Sequence, residues 1–391
     1  MKSNREFATL AVHAGEAPCP ATGALDTPIY QSTTFVAADS DEMSAVYAGE
    51  KFGYMYTRYG NPTVRALEEK LAALEGGEAA LAFASGMAGI SSAIMGYVKA
   101  GDHVVATRML YGAAYNFLNK KLPRMGAEVT FVPTARVDDL ERAIRPNTRV
   151  IYFETPSNPT LEVVDIAALA KMAKARGIPT IMDNTFASPA LQQPLALGVT
   201  VAVHSATKYL CGHGDAMGGI VAGPKDFISE LVHEVIRDYG GVISPFNAWL
   251  ILRGIRTLHL RMPAHCANAQ RIAEFLAAHP RIERVHYPGL ASHPGHEVAR
   301  RQMRAFGAMI SFEAKGGYEA GKRVMDRVQL FARAASLGDT RSLIVHSAST
   351  SHRAVPRAER LAMGITDGLV RLSVGVEAAE DLLADLDQAL T

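Results

Sequence analysis

Cysteine is scarce in this 391-residue chain, and Cys19, Cys211 and Cys266 are far apart and odd in number. Three such thiols make no disulfide framework, so a reducing compartment, the cytoplasm, is the expectation. Neither sign of charge prevails: Lys plus Arg total 40 and Asp plus Glu total 39. That balance gives no electrostatic footprint for nucleic acid or an anionic membrane. No uninterrupted apolar run approaches the ~18 residues of a membrane span. The opening stretch MKSNREFATLAVHAGE lacks the apolar centre of a signal peptide. Neither G-x-G-x-x-G nor G-x-x-x-x-G-K-[ST] occurs, so a dinucleotide site or a P-loop has no signature here. There is no C-x-x-C, and Cys211-x-His213-x-Asp215 matches no standard zinc spacing, so no metal is expected. His204 and His213 are read as hydrogen-bonded structural residues.

What is present is the composition of a globular protein, 48% apolar and 20% charged, in a chain too long for one ordinary core. Residues 1–60 are rich in Thr, Ser, Gly and Tyr and read as an extended arm. A helix is predicted from Asn61-Pro62 to the Gly76-Gly77 pair. Short apolar runs then alternate with helical patterns. Strands are predicted at 79–83, 103–107, 127–132, 149–153, 178–182 and 199–203, with one more at 218–223. That alternation predicts an α/β fold, a mainly parallel sheet with helices on both faces, over residues 61–257. Residues 258–391 mix helical pieces such as 265–278 with strand-like pieces at 308–314 and 368–375, an α+β domain.

In such sheets ligands sit at the carboxyl ends of the strands. Ser85-Gly86-Met87 opens a helix after one strand and offers free N–H groups to a phosphate, or is an ordinary turn. Glu154 and Asn158 follow another strand. Asp183 ends a third, where it suits a buried cation or a protonated ring nitrogen, or simply a turn. Ser205, Thr207 and Lys208 follow VTVAV. A lysine there fits a Schiff base with a carbonyl compound, or a solvated surface position. Tyr111 follows a strand and suits ring stacking or a core. Arg371, inside the apolar strand LVRLSV, needs an anion, either a substrate carboxylate or an internal acid. Taken together, these groups match pyridoxal 5'-phosphate: an aldehyde on Lys208, a pyridine nitrogen on Asp183 and a ring face under Tyr111. Gly86, Met87, Ser205 and Thr207 would take the phosphate, and Arg371 the substrate carboxylate.

Several longer motifs carry a resemblance: TPIYQSTTF (27–35), YTRYGNPT (56–63), LEGGEAALAFASGMAGI (74–90), DNTFASP (183–189), HSATKYLCGHGD (204–215), HYPGLASHP (286–294), SLGDTRSL (336–343) and GLVRLSVGVE (368–377). Through them the chain resembles, over nearly its whole length, the Cys/Met-metabolism pyridoxal-phosphate enzymes. The resemblance implies the aspartate aminotransferase-like fold, known as fold type I. It implies that Lys208 bonds the cofactor, Asp183 pairs with its ring nitrogen and Tyr111 stacks on it. Gly86, Met87, Ser205 and Thr207 would hold its phosphate, with Tyr56 and Arg58 reaching the phosphate of a neighbouring subunit. The active unit would then be a dimer within a homotetramer. Asn158, a cofactor contact, and Arg371 would surround the substrate carboxylate, with Ser336 nearby.

The implied chemistry is γ-elimination on a sulfur amino acid, catalysed by Lys208, Tyr111 and Asp183, with lowered pKa values expected for Lys208 and Tyr111. Within the family the chain looks most like the methionine γ-lyases. Ala335 stands where cystathionine-handling enzymes usually carry glutamate, and Arg237-Asp238 matches a basic–acidic pair. Ala113 departs from the cysteine usual at that position. γ-Replacement on an O-succinyl- or O-acetylhomoserine, and cystathionine cleavage, are the alternatives.

Overall fold

Apolar strands that must bury both faces need helices above and below them, and the computed structural model has that arrangement. It describes residues 5–133, 135–351, 353 and 355–391. Seven strands form the larger sheet: β1 (Ala79–Phe83), β2 (His103–Thr107), β3 (Glu128–Val132), β4 (Thr148–Glu154), β5 (Thr180–Asp183), β6 (Val201–Ser205) and β7 (Gly219–Gly223). Their order is β1-β7-β6-β5-β4-β2-β3, and β2 to β6 run parallel. β7 is antiparallel to both of its neighbours, because only the loop 206–218, with no crossover helix, joins it to β6. At the edge, the Ala82 N–H of β1 donates to Glu68 Oε1 at 2.9 Å, which blunts an otherwise open row of donors.

β6 begins two residues later than the apolar pattern suggests. Thr180 and Thr200 exchange bonds, each backbone N–H reaching the other's hydroxyl at 3.1 Å, so the ladder starts only after them. The shift puts Ser205 on the strand itself. The helix expected at 112–121 is helical only over Gly112–Asn116, then widens into a π-type turn over Phe117–Lys121.

The five-stranded second sheet has the order β10-β11-β12-β9-β8. Its strands are β8 (Ile282–His286), β9 (Met309–Ala314), β10 (Ala332–Arg333), β11 (Leu343–His346) and β12 (Leu369–Ser373). The helix Leu258–Ala278 leads into it. This helix starts seven residues before the expected 265, with Pro263 inside it, a residue that normally argues for a break.

The helix Pro62–Glu75 shows how local signals fix an element. The Asn61 side chain accepts from Thr63 N–H, proline fills the first turn, and Gly76 ends it at φ 70°. Its Leu67, Leu71 and Leu74 are fully buried. Lys70 on the same helix is also fully buried, and donates to the carbonyls of Ala11 (2.8 Å) and Val12 (3.1 Å) and to Glu16 (2.7 Å). That lysine satisfies the C-terminal end of the short helix Phe7–His13, one of two helices in the expected irregular arm; the other is Ser40–Tyr47. Elsewhere the arm exposes Leu25, Val36 and Phe52.

Candidate active site

β1, β4, β5 and β6 end on one side of the larger sheet, and β12 faces them from the smaller one. Between them lies a cavity of about 330 Å³. Gly86, Met87, Tyr111, Asn158, Asp183, Ser205, Thr207, Lys208, Ser336 and Arg371 all line it. Tyr56 and Arg58 do not. They border a separate pocket with Gln31, Ser32 and Thr33 on the arm.

The helix Gly86–Met95 points its N-terminus at the cavity. Ser85 Oγ accepts from Ala88 N–H at 3.2 Å, and the first-turn N–H groups of Gly86 and Met87 have no acceptor within the helix. A Cβ on Gly86 would stand 2.7 Å from the Ser205 Cβ, so glycine lets strand and helix close into one donor cradle. Thr207 joins the base of the lysine loop: its Oγ donates to Gly218 O at 3.2 Å and accepts from Gly218 N–H at 3.1 Å. Gly86→Ala is expected to raise the dissociation constant for pyridoxal phosphate at least about tenfold, roughly 1.4 kcal/mol, as read by absorbance titration of the apoprotein.

Asp183 sits at the end of β5, where Thr185 N–H donates to its Oδ1 at 2.9 Å. Burial holds its carboxyl above the usual range, while the Thr185 bonds and His204 act in the opposite sense. A cation placed against this carboxyl would offset the burial. Behind it runs a buried polar chain: His204 Nε2 and Asn184 Nδ2 both meet Glu75 Oε1, at 2.5 and 3.0 Å, and Gln192 Nε2 donates to Asn184 Oδ1 at 3.1 Å.

Lys208 Nζ donates to Ser336 Oγ at 2.9 Å. Its pKa is lowered, first by burial and then by the charge of Arg371, as expected from the sequence. Arg371 Nη1 donates to Asn158 Oδ1 at 2.9 Å and Nη2 to Ser336 O at 3.1 Å. Burial pushes its guanidinium down to about 10. No carboxylate is ion-paired to Arg371 among the described residues, so its charge faces the cavity without an internal acid. Tyr111 is half exposed, and its backbone N–H is held by Glu154. Ala113 lines a second chamber of about 450 Å³, which shares Tyr111, Asn158, Ala335 and Arg371 with the first.

Sequence reasoning gave Glu154 no role and missed Thr185 altogether. Thr185 Oγ accepts from Ser205 N–H at 2.8 Å while its own N–H reaches Asp183, so it ties together two strands that carry site residues. Nothing local in a threonine after Asp-Asn announces that task; only the pairing of β5 with β6 reveals it. No group of three or more His, Cys, Asp or Glu side chains forms a metal site among the described residues.

The donor set fits pyridoxal phosphate in kind. It has N–H and hydroxyl donors for a phosphate, a buried acid for a ring nitrogen, an amine with lowered pKa for an aldehyde, and an aromatic face. The fold and site thus define a pyridoxal-phosphate enzyme of the α/β type. Residues 8–391 match the model of the Cys/Met metabolism PLP-dependent enzymes, and the chain belongs to that family. An L-methionine gamma-lyase of Fusobacterium nucleatum subsp. polymorphum is 50% identical over 98% of this chain and 97% of its own length. One from Porphyromonas gingivalis is 50% identical over 98% and 96%. The crystal structure of metB from Corynebacterium glutamicum superposes with a TM-score of 0.94 at 43% identity, covering 100% of this chain and 99% of the other.

Proposed function

We propose that the chain is a pyridoxal-phosphate-dependent carbon–sulfur lyase that eliminates the γ-substituent of L-methionine or homocysteine, yielding 2-oxobutanoate, ammonia and a thiol. One observation carries most of this reading. Lys208, Tyr111 and Arg371 face one cavity, and the small, uncharged Ala335 lines both that cavity and the adjoining chamber, to whose wall Lys120 and Glu359 also contribute. Alanine at that position suits an apolar γ-group better than one ending in an amine.

Bound pyridoxal phosphate supplies an electron sink for bonds broken at the substrate's α-carbon. Gly86, Met87, Ser205 and Thr207 hold its phosphate, Asp183 its ring nitrogen, and Tyr111 and Asn158 its ring. Arg371 orients the substrate carboxylate, its own plane fixed by Asn158 and the Ser336 carbonyl. Lys208 Nζ carries the α-proton away, and its lowered pKa favours the neutral amine which that step needs. The Tyr111 hydroxyl assists departure of the sulfur.

Tyr56 and Arg58, outside the cavity of their own chain, serve the phosphate of a neighbouring copy in a dimer, two of which form a tetramer. Leu25, Val36 and Phe52 on the arm are the apolar area such a copy would cover. No described helix is long and apolar enough to cross a membrane, and all three cysteines are free, which supports a cytoplasmic setting.

The deciding assay is 2-oxobutanoate release from L-methionine by holoenzyme without sulfide. Strong release is expected. Product formed only from a homoserine ester with added sulfide would replace elimination by γ-replacement.

A further inference from the structure

Glu154 ends β4 and is 6% exposed. A buried acid is costly unless something needs it there. It has no ion-pair partner among the described residues, and it stands opposite a second acid, Asp183, in the β4–β5 pairing. Both of its oxygens converge on one donor: the Tyr111 N–H lies 2.8 Å from Oε1 and 2.9 Å from Oε2. Among the described residues, the only other bond to its side chain is a longer one from the Tyr152 hydroxyl, 3.4 Å from Oε1. Its carboxyl thus serves a backbone amide 43 positions earlier in the chain.

Tyr111 needs such an anchor. Tyr111 lines the cavity, so its aim there depends on how its main chain is held. It stands just before the helix Gly112–Asn116, which runs on into the π-type turn Phe117–Lys121, and it provides no side-chain cap. Its main chain is the fixed point from which the phenol is aimed.

We propose that Glu154 is a positioning residue: its carboxyl oxygens pin the main chain of Tyr111 and thereby aim the phenol at the cofactor plane and the substrate's γ-position. The inference rests on the role given above to Tyr111. Misplacement of a reacting group by 1 Å costs on the order of 10²-fold in rate, so a loose Tyr111 would be felt directly.

Three readouts on holoenzyme test it. Glu154→Ala removes the acceptor, and kcat is expected to fall at least about tenfold with KM within about threefold of wild type. The visible circular dichroism of bound pyridoxal phosphate should change as the ring beside it loosens. Glu154→Gln keeps an acceptor oxygen and should restore both kcat and the dichroism band. In the Tyr111→Phe background, Glu154→Ala should add nothing further. If the alanine variant yields no folded holoenzyme, Glu154→Met removes the acceptor while filling the space, and the same readings apply. Wild-type kcat and dichroism in the acceptor-free variant would overturn the proposal. So would a glutamine variant as impaired as alanine in both. The dichroism comparison needs no substrate. A wild-type enzyme inert toward every sulfur amino acid would therefore sink the functional reading and leave this test standing.

Discussion

Lys208→Ala is expected to leave a folded protein whose turnover falls by at least about 10³-fold. Among the described residues, Lys208 is the only lysine lining the cavity, and its Nζ lies 2.9 Å from Ser336 Oγ. Arg371, the other cation there, is engaged by Asn158 and the Ser336 carbonyl and stays charged, so it cannot substitute as a nucleophile or base. Borohydride reduction of wild-type holoenzyme should fix the cofactor to the peptide bearing residue 208, and the variant should give no such adduct. A variant turning over within tenfold of wild type would disprove the assignment. The pH dependence has a definite sign. Burial, then Arg371, lowers the pKa of the amine below 10.5, so its neutral form appears at lower pH than for a solvated lysine. Capture of pyridoxal phosphate by apoprotein should therefore quicken as pH rises and level off before 10.5.

The second large effect is expected at Asp183. A carboxylate against a protonated ring nitrogen shifts the partner's ionisation by 1–3 pKa units, about 1.4–4 kcal/mol, so Asp183→Asn should slow turnover by about 10- to 10³-fold. Asparagine keeps an oxygen for Thr185 N–H, which holds Asp183 Oδ1 at 2.9 Å, so geometry is largely preserved and charge alone is removed. Nitrogen-15 NMR of labelled cofactor should show the ring nitrogen losing its proton in the variant. An unchanged nitrogen signal together with unchanged turnover would remove Asp183 from this role.

The strands of the larger sheet were legible because runs such as HVVAT and RVIYF are apolar on both faces and end at polar groups. Asp183 and Lys208 could be singled out as candidates because each stands at the end of a buried strand, where a turn acid or a surface lysine was the alternative; the fold brings both to one cavity. The parts that escaped depend on pairing. The start of β6 was misjudged because the Thr180–Thr200 exchange lies 20 residues apart in sequence. The antiparallel course of β7 follows from the loop that returns it, which leaves no mark on GGIVAG itself. Glu154 was seen at its strand end, yet its target, a main-chain N–H, has no side-chain signature.

The two sheets divide the site between them. Groups suited to the cofactor, from Gly86 to Lys208, hang from the seven-stranded sheet. Arg371, Ser336 and Ala335, which line the cavity from the other side, belong to the five-stranded one and to the loop joining β10 to β11. Change along that second sheet can redirect which molecule is consumed while the first goes on gripping the same coenzyme. An ancestral scaffold divided in this way could branch into new metabolic trades without reinventing its engine.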